Sequence, residues 1–323
     1  MRKLNIKGFR EFGVLMVLAL ICVLLAIKAP VFLKPANIIN VVRQTVEIGI
    51  MAIGMTFLIV CGEMDLSVGS IFGATAMLAA SIFKFSAGMQ SATLVFVITL
   101  IAGGMIGAFN GLLVTKMRIP AFIATLGAMQ IFRSVAYSIS GGISISVFPE
   151  WATNSWVFKM GASVGKLPVQ VIIMFALFIL AYVVLKKTKF GYEVYATGGN
   201  KRAAQLAGIN TDRIKLTCFI VTGMLTALAA LISIAYLKSV PTTAGEGREM
   251  DVIAAVILGG AALSGGRGTM LGTFLGAIIM SVVKNGMVLL QVPVFWQSGF
   301  IGVIIILAVL LDTWIGRLET KRA

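Results

Sequence analysis

The chain has 323 residues, 59% of them hydrophobic and 12% charged, with a mean hydropathy of +1.01 and a formal net charge of +15. Soluble domains carry about 25% charged residues, so a water-soluble globular fold is excluded, and the basic excess reads as loop charge on a membrane protein rather than as a nucleic-acid footprint. Histidine is absent, which excludes zinc–histidine sites and histidine proton relays. Cys22, Cys61 and Cys218 fall in or beside apolar runs and imply no disulfide framework.

Apolar runs close to the roughly 20 residues that cross a hydrocarbon core recur along the whole length. The expected fold is an all-α, polytopic membrane bundle of about ten transmembrane helices forming one domain over residues 1–323. The predicted spans are 12–33, 38–62, 66–86, 92–115, 119–138, 168–187, 215–237, 251–264, 269–290 and 297–314, the eighth being short for a full crossing. Arg2, Lys3, Lys7 and Arg10 precede the first apolar run, but "FGVLMVLALICVLLAIKAPVF" is too long for a signal-peptide core and lacks a small-residue cleavage site, so it is read as a retained helix.

Basic residues set the orientation. With the N-terminus inside, Lys116, Arg118, Arg267, Arg317, Lys321, Arg322 and the bases of the 188–214 loop and its edges all face the cytoplasm. The outside then receives only Lys28, Lys34, Lys84, Lys159, Lys166, Lys238 and Arg248. The reverse orientation breaks the positive-inside rule; both termini are expected to be cytoplasmic. Arg43, Arg133 and Lys284 fall inside predicted spans, placed to snorkel or to pair within the bundle. Glu47, one helical turn after Arg43, is read as its i,i+4 partner.

Between the second and third spans lies "CGEMDLSVGS", Cys61 to Ser70, which holds two of only 12 acidic residues. Asp65 and Ser67 stand where the third helix begins, and either side chain can accept from its unpaired amides, with Asp65 also complementing the helix dipole. Glu63 is placed to neutralise nearby bases or to touch a partner. The acids are therefore read as architectural, holding a tight turn. Glycines at four-residue spacing follow in several helices: Gly69 and Gly73, then Gly103, Gly107 and Gly111, then Gly268, Gly272 and Gly276. Such stripes let helix backbones approach closely in lipid; close packing and pore lining are both open to them. Spans two and three, with their polar turn, parallel spans eight and nine, joined by "LSGGRG", in the same predicted orientation, as in repeat-built transporters.

Outside, "SVFPEWATNSW" carries Glu150, Trp151 and Trp156, and the 238–250 loop carries Glu246, Arg248 and Glu249. The tryptophans are interface anchors, and the charges suit salt-sensitive contacts with another protein. A phosphate-binding loop, G-x-x-x-x-G-K-[ST], is approached only by "GASVGKL" at Gly161 to Leu167, which is one residue short between the glycines and ends in Leu167. ATP must be handled by another chain.

The long inner loop, Lys186 to Lys215, contains "GGNKRAAQLAGI". Gly198 and Gly199 are expected to break the chain, Asn200 to cap a short helix over Lys201–Ala207, and Gly208 to end it in the left-handed conformation. Ala203, Leu206 and Ala207 share one face. That helix either seals the bundle or docks a cytoplasmic partner.

Three segments carry a family resemblance. "GGNKRAAQLAGI" resembles the cytoplasmic loop of permease subunits of bacterial ABC importers for simple sugars, the ribose, xylose and galactose group. "GEMDLSVGS" resembles the early signature of that family, and "AAVILGGAALSGGRGTMLGTFLGA", Ala254 to Ala277, its late glycine-rich signature. They occur in family order. The resemblance implies a permease dimer, with itself or a close paralogue, in the bacterial inner membrane, paired with an ATP-binding cassette subunit and served by a periplasmic sugar-binding protein. ATP and Mg would sit on the partner, and this chain would hold no cofactor and no metal. By the same resemblance Gly199, Asn200, Lys201, Arg202, Ala203, Ala204, Leu206, Ala207, Gly208 and Ile209 form the coupling helix. Glu63, Asp65, Leu66, Ser67 and Gly69 form the signature turn. Gly259, Gly260, Gly265, Gly266, Gly268, Gly272 and Gly276 belong to glycine-rich helices along the transport path. A secondary, ion-coupled carrier is the alternative. The scarcity of acids within the spans disfavours proton coupling, while sodium coupling through backbone carbonyls stays open.

Overall fold

The computed structural model describes residues 6–85, 91–165 and 167–320; Arg2, Lys3, Lys166, Lys321 and Arg322, used above for orientation, lie outside them. In chain order the helices are α1 (Ile6–Lys28), α2 (Pro35–Val60), α3 (Val68–Phe85), α4 (Ala92–Thr115), α5 (Ala121–Ser140), the single turns α6 (Glu150–Thr153) and α7 (Trp156–Lys159), α8 (Val169–Lys187), α9 (Lys189–Gly199), α10 (Lys201–Leu206), α11 (Thr211–Leu237), α12 (Arg248–Leu258), α13 (Met270–Leu289) and α14 (Val294–Thr320). Four two-residue strands make two small ribbons, β1 (Ile145–Ser146) with β4 (Ser239–Val240) and β2 (Ser163–Val164) with β3 (Leu167–Pro168). The "GASVGKL" segment thus falls on a ribbon turn, not on the strand–loop–helix of a phosphate loop.

Among the described residues, α2, α3, α4, α5, α8, α11 and α13 are long and apolar enough to cross a membrane, and shorter apolar stretches occupy Phe12–Lys28 of α1 and Val294–Leu307 of α14. The predicted eighth span, 251–264, needs correction. Its helix, α12, has 11 residues, about 16 Å, or about half a hydrocarbon core. Glycines break it: Gly260, Gly265 and Gly266 beyond its end have φ of 86°, 84° and 72°, and Gly245 and Gly247 before its start have 82° and 74°, a region that costs other residues steric strain.

The two ends of the bundle are fixed by contacts. Ile145 pairs with Val240, so the C-terminal ends of α5 and α11 share one face. At the opposite face the Gly266 N–H donates to the Val60 carbonyl at 2.8 Å, bringing together the end of α2 and the loop after α12. By the distribution of bases this second face is the cytoplasmic one.

No hydrophobic effect drives helices together in lipid, so close approach and interhelical hydrogen bonds hold the bundle. A Cβ on Gly107 of α4 would lie 2.2 Å from the Phe219 carbonyl oxygen of α11, and one on Gly103 2.4 Å from that of Gly223. A Cβ on Gly272 or Gly276 of α13 would meet the carbonyl oxygens of Gly259 or Ala255 at 2.0 and 1.9 Å. Asn37 and Asn285 exchange side-chain amide bonds at 3.0 and 2.9 Å, and the hydroxyls of Thr56 and Thr273 meet at 2.7 Å, tying α2 to α13. α2 is the hub, buried without interruption from Ile48 to Val60. Exposed apolar side chains such as Leu20, Phe122, Ile179 and Ile306 suit lipid contact.

Candidate functional site

The signature turn folds around Asp65. Its Oδ1 accepts from the Ser67 N–H at 2.7 Å and from the Ser67 hydroxyl at 2.6 Å, the side-chain turn that aspartate forms with its own backbone two residues on. Asn110 of α4 donates to Asp65 Oδ2 at 3.1 Å and to Ser67 Oγ at 2.7 Å. All three residues are fully buried, and Leu66 is buried beside them. Glu63 forms an ion pair with Lys215 of α11. Asn110 escaped sequence reasoning; its signal was a lone amide inside an apolar, glycine-paced run. Replacing Asp65 with Ala strips the Asn110 amide of a partner, a loss of about 1–3 kcal/mol for a buried donor. The expected result is a lower monodisperse yield in size-exclusion chromatography; full yield with lost transport would instead give Asp65 a direct role.

The turn opens onto a junction of glycines. A Cβ on Gly198 would stand 1.9 Å from the Val60 carbonyl oxygen and 2.7 Å from the Gly266 nitrogen. One on Gly265 would stand 2.8 Å from Gly198 O and 3.0 Å from Gly62 Cα, and one on Gly266 2.7 Å from Gly199 Cα. Tyr195 of α9 donates to the Gly268 carbonyl at 2.6 Å. The early turn, the long inner loop and the late glycine-rich segment therefore meet backbone to backbone, although some 140 and 70 residues separate them (Gly62, Gly198, Gly266).

From this junction α10 projects. Gly198 and Gly199 do not break the chain as expected: they form the last turn of α9, which ends at Gly199 with Asn200 as its C-cap. Asn200 Oδ1 accepts from the Ala203 N–H at 3.0 Å, and Gly208 adopts φ 82°, the two caps that the residue types call for. Ala203, Leu206 and Ala207, read as sharing one face, are all on the exposed side of α10. Ala204 is the buried residue, at 5% exposure, while Leu206 is 85% exposed with Lys201, Arg202, Ala203 and Ala207 also exposed. The base of α10 is pinned by Asp212, which pairs with Arg118 at 2.9 Å and reaches Lys201 at 4.0 Å.

A second polar level lies deeper. Glu47 is 13 residues before the end of α2, Arg133 12 after the start of α5 and Lys284 14 after the start of α13, so each stands about 18–21 Å from the cytoplasmic face, inside the hydrocarbon depth. α12 begins at this level. Its Arg248 Nη2 pairs with Glu47 Oε2 at 2.6 Å, and its Asp251 Oδ2 with Lys284 Nζ at 2.5 Å. Arg133 Nη1 donates to the Ala244 carbonyl at 2.7 Å, and Tyr137 to Glu246 at 2.9 Å. Glu249 and Asp251 lie in the first turn of α12, where its dipole favours negative charge. The expected Arg43–Glu47 pair does not form. Arg43 precedes its acid, the weaker order for an i,i+4 pair, and its guanidinium lies 4.7 Å over Tyr236 and donates to Ser163 at 3.0 Å. Arg248, counted above with the outer loops, is likewise corrected to mid-bundle, carried there by the re-entrant chain after β4. Of the glycines read as path-forming, Gly259, Gly272 and Gly276 lie in the α12–α13 contact, Gly265 and Gly266 in the junction, Gly268 against Val60, and Gly260 at the turn ending α12. Gly69 faces Glu249 and the Gly245 carbonyl.

A bundle with a half-helix that starts at mid-depth, surrounded by paired charges, defines a multi-pass membrane transport component. The family model described as branched-chain amino acid transport system / permease component matches residues 37–309, and the chain belongs to this permease family. It is 39% identical over 314 residues to the ribose import permease protein RbsC of Bacillus subtilis (strain 168), covering 96% of this chain and 95% of that one. It is 40% identical over 300 residues to RbsC of Escherichia coli (strain K12), covering 92% of each, and 32% identical to the xylose transport system permease protein XylH of the same strain, covering 87% and 86%. A solved metal-chelate type ABC transporter in an inward-facing conformation superposes with a TM-score of 0.50 at 15% identity, over 98% of this chain and 99% of that one, and supports the fold. The resemblance drawn from the three signatures is thus borne out.

Proposed function

We propose that this chain is the transmembrane subunit of an ATP-driven importer that moves a neutral monosaccharide of the ribose or xylose type inward across the inner membrane by alternating access. The observation that carries the reading is the glycine junction. α10 is a capped helix with an exposed leucine at its tip, and its root touches both the end of α2 and the loop after α12. A push on α10 from an ATP-binding cassette subunit has backbone contacts, with no compliant side chains between, through which to reach the two segments that flank the buried charge belt. A soluble binding protein would deliver the sugar to the opposite face, and a second permease copy or a close paralogue would complete the assembly. The relatives named for ribose and xylose support the substrate class. A proton-coupled carrier is less well supported, because Glu47 and Asp251 are each held by a base.

Leu206 tests the coupling role cleanly, since it is exposed and contributes nothing to the core. Leu206→Asp is expected to leave folded yield unchanged and to lower recovery of the ATPase subunit in a mild-detergent pull-down by about tenfold, as for loss of an apolar anchor at an interface centre. Undiminished recovery of a Walker-motif subunit, with undiminished pentose uptake, would remove α10 from the coupling role.

A further inference from the structure

On the cytoplasmic side, at the root of α10, lies a cavity of about 200 Å³, smaller than the sites that take drug-sized ligands and of a size for a small anion. Its charged lining comes from separate segments: Glu63 of the signature turn, Arg118 of the α4–α5 connection, Lys201 of α10, and Asp212 and Lys215 of α11. The remaining wall is the apolar end of α4 and the start of α5 at Pro120 and Ala121. Bases outnumber acids in this lining. Lys116, Arg202 and Arg213, which adjoin it in sequence, are exposed bases as well. A cleft with charge of one sign at its rim concentrates ligands of the other sign.

The bases are not equally committed. Lys215 is buried and paired with Glu63, so those two charges cancel. Asp212 takes one N–H from each terminal nitrogen of Arg118, at 3.0 and 2.9 Å. The other guanidinium N–H groups stay free, on a side chain that is 60% exposed. Lys201 stands 4.0 Å from Asp212, beyond hydrogen-bond range, so its ammonium donors are unspent. One carboxylate thus faces two bases, and the surplus positive charge of the cavity belongs to Arg118 and Lys201. Beside them α5 starts without a side-chain cap, and the N–H groups of Ala121 and Phe122 make no hydrogen bond among the described residues. These amides add donors to a site that the two bases define. Asp212 already supplies a carboxylate here. A phosphate group offers more oxygens and a second charge, enough to engage a guanidinium fork and an ammonium together.

We propose that this cavity binds the phosphate group of a small cytosolic anion, and that the bound anion bridges Arg118 to Lys201 and holds the root of α10 against the α4–α5 connection. The binding stands on the lining alone; its effect on transport rests on the importer reading above. α10 must move for the junction at Gly198 and Gly266 to move, so an anion that favours the resting place of its root slows the cycle. A reaction that phosphorylates the imported monosaccharide would give it the recognised group, and its product would then brake further import.

The first readout is thermal unfolding of the purified full chain in neutral detergent, since a ligand that binds only the folded state raises the melting temperature with concentration. Ribose 5-phosphate and inorganic phosphate are each expected to give a saturable rise, and ribose, or chloride at equal ionic strength, none. Arg118→Gln is expected to weaken the apparent affinity about tenfold, the worth of one charged hydrogen-bonding partner. Because that change also releases Asp212, a second variant is needed. Aspartate is a favoured N-cap, so Pro120→Asp should keep the folded yield while its charge enters the cavity and abolishes the rise.

The second readout is ribose uptake by the complete complex, with its ATPase and binding protein, in proteoliposomes of zwitterionic lipid. Ribose 5-phosphate on the ATPase side should lower parental uptake by about fivefold or more and leave the Pro120→Asp complex unaffected. A melting rise of equal size in the parent and both variants would mean non-specific screening and overturn the site. A rise given only by added phosphatidylglycerol, and by neither soluble phosphate, would overturn the cytosolic source and assign the cavity to a lipid headgroup. Saturable binding with no change in uptake would overturn the brake. A parental complex that moves no monosaccharide in the absence of phosphate would instead overturn the importer reading, and the binding result would stand apart from it.

Discussion

Lys284→Met is expected to destabilise the protein by about 3 kcal/mol, within the range for a buried ion pair that loses one member. Asp251 is 1% exposed, its Oδ1 has no hydrogen-bond partner among the described residues, and its carboxylate is neutralised at this depth by Lys284. Removal of the ammonium leaves a carboxylate inside the hydrocarbon region, where it must stay charged and unpaired or take up a proton. The second substitution discriminates the cause. In Lys284→Met with Asp251→Asn, the site holds no charge, and most of the lost stability should return. Thermal unfolding of the purified protein in detergent reads both variants. A single variant as stable as the parent, or a double variant no better than the single, would show that the pair is not what holds α12 to α13.

Gly198→Val is the change with the greatest expected effect on transport. Its Cβ would be placed 1.9 Å from a backbone oxygen and 2.7 Å from a backbone nitrogen, neither of which can swing aside as a side chain would. Overpacking of this kind costs about 1–3 kcal/mol or more, and relief requires the α9 end to withdraw from Val60 and Gly266. Pentose uptake driven by ATP should fall by about 5- to 100-fold, the rate equivalent of about 1–3 kcal/mol placed on the junction's movement. The adjacent Gly199→Ala is the control. A Cβ there meets nothing within 4 Å, and α9 remains helical, so uptake should be near parental. Equal behaviour of the two variants would exclude the junction as a point of mechanical contact.

The sequence by itself determined the membrane class, the order of the long helices and the family, because each depends on local or additive properties. Twenty apolar residues must form a helix in lipid, since no water is there to satisfy the backbone. Bases sort to one side one loop at a time. The caps of α10 were legible in the same way: Asn200 and Gly208 act on amides and carbonyls within a turn of themselves. Asp65 belongs to this group in part, as its bonds to Ser67 span two residues, but its tie to Asn110 does not.

Tertiary structure alone decided the charges and the meeting of the signatures. Glu47 lies four residues from Arg43 in sequence, yet its partner is Arg248, some 200 residues away, brought in by a re-entrant segment that hydropathy cannot distinguish from a short span. Lys284 was visible as an oddity inside an apolar run, but nothing local names Asp251 as its partner. Gly62, Gly198 and Gly266 lie in three separate segments of the sequence. They are one contact, and their common requirement for the absence of a Cβ arises only when three backbones occupy the same few ångströms.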